Sequence, residues 1–167
     1  MNYGVVLGAF WVFKYLFLII SNALQAVMHD SLVPDFLLYL HLYLLPIGTL
    51  SLYYVLLRRY RDYALGSKIS YLQCISFSMF LFASAALIEA VLIYIHYNFI
   101  DPKYIYIRDR GWLEMLLQHI FSPQWLETQR DTFGNIIILI SEIVKNIVIG
   151  FFLSLIYGIF VRKSDNM

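Results

Sequence analysis

The chain of 167 residues is long enough for one domain, since domains average roughly 150 residues. Hydrophobic residues make up 61% of the chain and charged residues 14%, whereas soluble domains contain about 45–50% and about 25%. A soluble protein of this length could not bury so much apolar surface, which excludes a soluble enzyme, a disordered tail and a disulfide-stapled secreted module. The net charge of +1 does not indicate the basic surface of a nucleic-acid-binding protein, and the single Cys74 permits no internal disulfide. A small polytopic membrane protein is the class that fits.

Four apolar stretches are long enough to cross a membrane, which takes about 20 residues per helix. They cover residues 3–28, 36–57, 70–98 and 134–161. Because lipid offers backbone groups no hydrogen-bond partner, and the stretches are too long for barrel strands, we expect helices. The first stretch has no Lys or Arg ahead of its apolar run and is interpreted as a retained helix, not a cleaved signal peptide. The sequence therefore predicts an all-α fold, a four-helix transmembrane bundle that forms one domain over 1–167.

The connections between these stretches indicate the orientation. Residues 29–35 form a short polar turn, with Pro34 just before the second helix. The connection 58–68 and the tail after Val161 are rich in Lys and Arg. By contrast, residues 29–35 contain no Lys or Arg, and the four basic residues of 101–133 are offset by five acidic residues. Because basic residues favour the cytoplasmic side, we expect both termini in the cytoplasm.

The long connection 101–133 has helical features of its own. Ser122 and Pro123 are typical of an N-cap followed by proline at the first helical position. Ahead of them, apolar side chains from Trp112 to Ile120 gather on one side of a helix. This amphipathic pattern predicts an interfacial helical segment in the outer connection, or equally a helix packed on the top of the bundle.

Four ionisable side chains fall inside the apolar stretches, two of each sign: Lys14, Glu89, Glu142 and Lys145. Each costs about 2.5–3.5 kcal/mol at the centre of a membrane helix unless it has a partner or lines a wet cavity. Counting residues from the outer helix ends places Glu89, Glu142 and Lys145 roughly 12–17 Å from the outer surface. Lys14, counted from the cytoplasmic end of its helix, is close to the same level. We expect Glu89 to pair with Lys145, with Lys14 and Glu142 completing a buried charge network. A network that fixes helix register is favoured over a proton or ion relay, and contact with a partner's membrane helix is a third interpretation.

Small residues recur at intervals of four in three of the predicted helices. This spacing lets the backbones of two helices approach closely. We predict packing contacts inside the bundle, in preference to contacts between two copies, for Gly4, Gly8, Ala86, Ala90, Gly150, Ser154 and Gly158.

No catalytic or metal-binding constellation is visible in the sequence. The four histidines, at positions 29, 41, 96 and 119, lack the close ligand spacing of zinc sites and are interpreted as interfacial polar residues. There is no phosphate-binding loop, nucleophile elbow or Ser–His arrangement of recognisable spacing. We therefore predict no enzymatic activity, no metal and no cofactor. The expected partners are the lipid bilayer and a membrane protein or a second copy of the chain, and not nucleic acid.

Short motifs along the chain resemble a known family. The basic run Arg58–Asp62, Gly66, Ile69-Ser70 at the start of the third helix and Phe99–Pro102 after it are together similar to a bacterial membrane family called domain of unknown function 4199. Tyr71 stands where the family pattern has phenylalanine. The residues of the family-like motif are Arg61, Asp62, Gly66, Phe99, Ile100, Asp101 and Pro102.

The resemblance covers approximately residues 1–163. It implies a four-helix inner-membrane protein of bacteria, and it implies no activity, because none is assigned to the family.

From these features we predict a non-enzymatic accessory or scaffold subunit of an envelope complex. Four helices with short cytoplasmic parts leave little room for a soluble active site. The alternative is a small transporter or lipid-handling protein that uses Glu89, Glu142 and Lys145. A transporter would have a wet cavity that reaches these charges, whereas a scaffold would seal them.

Overall fold

The computed structural model describes residues 2–28, 32–100 and 123–161, with only the backbone for 123–138. Within these ranges the α-helices are α1 (Tyr3–Val27), α2 (Leu32–Tyr39), α3 (Leu45–Ala64), α4 (Tyr71–Ile95) and α5 (Pro123–Val161). Two five-residue π-helical turns, π1 (Leu40–Leu44) and π2 (His96–Ile100), join α2 to α3 and extend α4. No β-strand occurs in the described ranges.

The helices form four segments that are long and apolar enough to cross a membrane. These segments are Tyr3–Gln25, Leu32–Ala64, Tyr71–Ile100 and Glu142–Val161. The second segment is continuous because π1 keeps the chain helical between α2 and α3. The predicted all-α fold with four membrane-spanning helices is therefore confirmed. The interfacial segment predicted within the outer connection, at residues 112–121, lies outside the described residues.

Two of the helices have boundaries that differ from the prediction. The second helix is predicted over 36–57 but extends from Leu32 to Ala64, so its basic end is helical and not a loop. Arginine side chains can reach water from a helix end, which lets the backbone hydrogen bonds continue past the apolar stretch. The fourth helix begins at Pro123, well before Gly134. Proline stands at its first position, as predicted, because a first-turn residue needs no N–H donor.

The turn between α3 and α4 has local signals in the sequence. Gly66 has a φ of +62°, in the left-handed region that favours glycine, and the N–H of Ser67 donates to the carbonyl of Arg61 at 3.0 Å. Ser70 then caps α4: its hydroxyl accepts from the Gln73 N–H, while the Gln73 side chain accepts from the Ser70 N–H. This capping box fixes the first turn of α4.

Helix α4 is the centre of the bundle, since it packs most extensively against α5 and α1. We call the end of the bundle formed by Ala64, Tyr71 and Val161 the basal end. The opposite end, formed by Val27, Leu32 and Ile100, is the distal end. The chain crosses between these two ends four times, so α1 and α4 run in parallel and α5 runs antiparallel to both.

Glycines set the close approach of α1 and α4. A Cβ atom on Gly4 would lie 2.4 Å from the Cβ of Ser84, and one on Gly8 would lie 2.7 Å from Cδ1 of Ile88. Because Gly4 meets α4 about 20 Å from its start at Tyr71, α1 is shifted toward the distal end. The contact of Gly4 and Gly8 with α4 therefore decides which side chains of the two helices share a level.

Candidate functional site

The four ionisable side chains that the sequence places inside the apolar stretches form two ion pairs. Nζ of Lys14 in α1 lies 3.6 Å from Oε1 of Glu89 in α4, and Lys145 pairs with Glu142 one turn away in α5. Glu89 is the most enclosed of the four, with 8% of its side chain exposed. The expected ion pair between Glu89 and Lys145 is wrong: the ion-pair partner of Glu89 is Lys14. The shift of α1 along α4 is the physical reason, because it carries Lys14 to the level of Glu89.

The two pairs belong to one layer of the bundle. Glu142 and Lys145 both act on the Glu89 carboxyl through Coulombic interactions, in addition to the adjacent Lys14. Three helices thus contribute the charges of this layer, and two cations and one further anion surround the buried Glu89 carboxylate. We call Lys14, Glu89, Glu142 and Lys145 the charge layer.

The basal side of the charge layer is closed by aromatic rings. Trp11 lies beneath Lys14, with Nζ 5.8 Å from the indole ring, and packs edge-on against Phe82 at 5.4 Å between ring centroids. Tyr53 packs edge-on against Phe82 at 5.4 Å and against Tyr157 at 5.1 Å. We call Trp11, Phe82, Tyr53 and Tyr157 the aromatic layer. Nε1 of Trp11 is buried and has no hydrogen-bond partner among the described residues, which leaves a donor next to the charges.

On the distal side of the charge layer, two histidines bond to consecutive residues of α1. Nδ1 of His41 lies 3.0 Å from the backbone oxygen of Lys14, and Nδ1 of His96 lies 2.9 Å from the hydroxyl of Tyr15. His96 and Tyr15 are buried, at 3% and 6% exposure. Both histidines lie in π-helical turns, which occur frequently at functional sites.

Sequence reasoning missed these histidine contacts. The sequence pattern predicts interfacial polar residues at His41 and His96, and the other two histidines lie outside the described residues. One signal was available: His96 follows Glu89 by seven residues, which puts both on the same face of α4. The described residues hold no group of three His, Cys, Asp or Glu side chains that could bind a metal ion.

The predicted small packing residues lie along both sides of α4. Gly4 and Gly8 meet Ser84, Ala85 and Ile88, Gly150 meets Phe82, and Gly158 meets Tyr71 and Cys74. Ser154 is fully buried between the last two glycines, and Ala86 and Ala90 on α4 are 2% and 7% exposed. The two helices that flank α4 thus both approach it through glycine.

The family-like residues lie at the two ends of the bundle. At the basal end, Arg61 pairs with Asp62 at 2.6 Å and donates to the backbone oxygen of Val161 at 3.0 Å, which ties the end of α3 to the end of α5. At the distal end, Phe99 and Ile100 are exposed. The remaining pair, 101–102, lies outside the described residues.

The four apolar helices and the charged residues enclosed among them define a multi-pass membrane protein. The chain belongs to the family described as Protein of unknown function (DUF4199), whose sequence profile matches residues 2–163. Comparisons with curated proteins and with solved structures gave no match.

Proposed function

We propose that the protein is a non-enzymatic accessory subunit of a membrane complex, and that the outer face of α5 binds a membrane helix of its partner. We also place it in the inner membrane of a bacterium with both termini in the cytoplasm. The resemblance in family motifs supports the bacterial inner membrane. The excess of basic residues at the basal end supports cytoplasmic termini.

The exposure of Lys145 carries this proposal. Its side chain is 42% exposed, on a helix segment that lies within the membrane. A lysine exposed to lipid costs up to about 2.5–3.5 kcal/mol, the value at the centre of a membrane helix, and the pairing with Glu142 satisfies only part of its hydrogen-bonding capacity. A partner helix that presents a carboxylate, hydroxyl or carbonyl oxygen at this level would supply the acceptors that lipid lacks.

The surface around Lys145 fits a helix-sized partner. Helix α5 packs against α4 with only a few contacts to α3, and 17% of its membrane span is buried, against 44% for the span that contains α4. The exposed side chains on its outer face are large and apolar, namely Val144, Val148, Phe152, Ile156 and Ile159. Because the small residues of α5 face α4, the partner would meet a ridge of large side chains with a polar group near one end.

Site-specific photocrosslinking in living cells tests the proposal. A photoreactive residue at Val144 should give one defined protein adduct, and Lys145→Leu should abolish it. The matched control is Leu87, which is 57% exposed on α4 at a similar depth and should give no protein adduct. An adduct of twice the chain's mass would identify the partner as a second copy. Equal labelling at Val144 and Leu87, unaffected by Lys145→Leu, would refute the proposal.

The second candidate is a small transporter that uses Glu89, Glu142 and Lys145. Its support is the convergence of charges from three helices on one layer. A transporter must expose this layer to each side in turn, so Cys substitutions at Ala85, basal to Glu89, should become reactive to a water-soluble thiol reagent from the basal side. The accessory function predicts that Ala85→Cys stays unreactive, because Ala85 is fully buried next to the aromatic layer.

A further inference from the structure

We propose that the outer face of α3 at the basal end is a binding site for an anionic phospholipid, whose phosphate is held by Arg58 and Arg59. This inference goes beyond the proposed function and does not depend on it, because the site is formed by α3 and not by the outer face of α5.

The first step is the depth of the two arginines in the membrane. The apolar stretch that precedes them, residues 36–57, rises about 33 Å at 1.5 Å per residue, which matches the roughly 30 Å of hydrocarbon in a bilayer. Arg58 and Arg59 follow this stretch directly, and the helix continues to Ala64. The backbone of both arginines is therefore fixed in α3 at the level where the lipid phosphates lie.

The second step is the hydrogen-bonding capacity that the protein leaves unused. Arg61 is engaged, because its guanidinium donates to Oδ1 of Asp62 at 2.7 Å and to the Val161 oxygen at 3.0 Å. Nε of Arg58 lies 3.9 Å from Oδ2 of Asp62, too far for a hydrogen bond, and its side chain is 60% exposed. Arg59 is exposed and has no ion-pair partner among the residues that the structure describes. Two guanidinium groups thus remain available to acceptors outside the protein.

The third step is the surface that leads from the arginines toward the centre of the bilayer. Residues three and four apart are neighbours on a helix, so Val55 lies beside both arginines. Val55 is 45% exposed, and Ser51 and Ile47, at further intervals of four toward the distal end, are exposed as well. A lipid whose phosphate meets the two guanidinium groups can therefore lay an acyl chain along this row.

The fourth step is the charge of the headgroup. The oxygens of a phosphodiester match the planar fork of a guanidinium, so arginine binds phosphate in bidentate geometry. Asp62 interacts with both Arg58 and Arg61, and its single negative charge leaves the three arginines with an excess of positive charge. A zwitterionic headgroup would bring its own cation close to this excess. An anionic headgroup such as that of phosphatidylglycerol is therefore the ligand that fits.

Native mass spectrometry of the full chain in detergent, with added lipid, tests the site. The wild-type protein should bind phosphatidylglycerol more tightly than phosphatidylcholine. Arg58→Gln and Arg59→Gln should each weaken phosphatidylglycerol binding by about fivefold, the effect of one basic residue near an anionic lipid surface. The matched control Lys68→Gln removes one positive charge from an exposed position in the turn after α3 and should leave the preference in place. An equal loss in Lys68→Gln would show an effect of overall charge and overturn the site.

The position of the lipid is tested in vesicles whose lipids are brominated along the acyl chains. A fluorophore attached at Val55→Cys, in a Cys74→Ser background, should be quenched more by brominated phosphatidylglycerol than by brominated phosphatidylcholine at equal mole fraction. The matched control is Phe80→Cys, because Phe80 is 76% exposed on α4 and lies nine residues from Tyr71, as Val55 does from Ala64. Equal quenching by the two lipids at Val55, or the same preference at Phe80, would contradict a site on α3.

A soluble phosphate is the other source of the same chemistry, and a competition experiment separates the two. An excess of glycerol 3-phosphate should not displace phosphatidylglycerol from the wild-type protein, because it has no acyl chain to lie along the row at Val55. Displacement would assign the arginines to a soluble ligand and overturn the lipid site. Arg58→Lys combined with Arg59→Lys should retain part of the lipid preference, since the charge remains but the bidentate fork is lost. Full wild-type affinity in this variant would exclude recognition by the guanidinium groups.

Discussion

Lys14 and Glu89 form an ion pair across the α1–α4 contact, with 3.6 Å between Nζ and Oε1, in the interior of the bundle. The pair depends on the glycines below it, since Gly4 and Gly8 let α1 approach α4 closely at the shifted register that brings the two charges together. Packing and electrostatics in this protein are thus set by the same helix contact.

The first prediction concerns the energetic coupling of this pair. Lys14→Met or Glu89→Gln alone should lower the free energy of unfolding by about 3–5 kcal/mol, because each leaves a buried group without its partner. The double substitution should recover much of that loss. Unfolding in mixed detergent micelles measures all three variants. The control cycle combines Glu89→Gln with Lys145→Met and should show weaker coupling; stronger coupling to Lys145 than to Lys14 would contradict the structure.

A second prediction addresses the glycine contact. Gly4→Ala places a Cβ 2.4 Å from the Cβ of Ser84, so α1 must move away from α4. Overpacking of this kind costs about 1–3 kcal/mol, although alanine alone would favour the helix by about 1 kcal/mol. Ser84→Gly should restore part of the loss in the double variant. Ala9→Leu, on the exposed side of α1, is the control and should change the melting temperature little; a similar loss there would argue against a specific clash.

A third prediction follows from an asymmetric hydrogen bond. The Ser78 hydroxyl donates to the Cys74 oxygen at 2.7 Å, so the Tyr53 hydroxyl is the donor to Ser78 at 2.6 Å. Tyr53→Phe removes one hydrogen bond at a cost of about 1 kcal/mol, whereas Ser78→Ala leaves a buried hydroxyl donor unsatisfied at about 1–3 kcal/mol. Unfolding measurements should therefore find Ser78→Ala more destabilising than Tyr53→Phe. The reverse order would mean that Tyr53 has another acceptor.

A fourth prediction concerns orientation. From the basic residues at the basal end we expect the loop after Ala64 to lie in the cytoplasm and the connection between α4 and α5 to lie outside. Reporter fusions after Ser67 and after Asp109 should accordingly report cytoplasmic and external locations. Opposite locations at both positions would invert the protein in the membrane while leaving its four spans intact.

The contacts of His41 and His96 with α1 could not be predicted from the sequence. Their residue type was visible, but whether His41 and His96 face lipid or α1 depends on which helices are neighbours and on their relative shift. The seven-residue interval between Glu89 and His96 could have indicated a shared face of α4. Nothing in the sequence indicated that Lys14 and Tyr15 would stand opposite that face.

The sequence by itself determined that the chain is helical, that it crosses a membrane four times and that four ionisable residues lie within the spans. These are local properties, because the length and apolarity of each stretch must match the thickness of the bilayer whatever the other helices do. Only the tertiary structure decided that Glu89 pairs with Lys14 instead of Lys145 and that Tyr15 meets His96. Those pairings depend on the offset between α1 and α4 along the bundle. The close packing of Gly4 and Gly8 against α4 sets this offset, and it cannot be deduced by counting residues from the end of either helix.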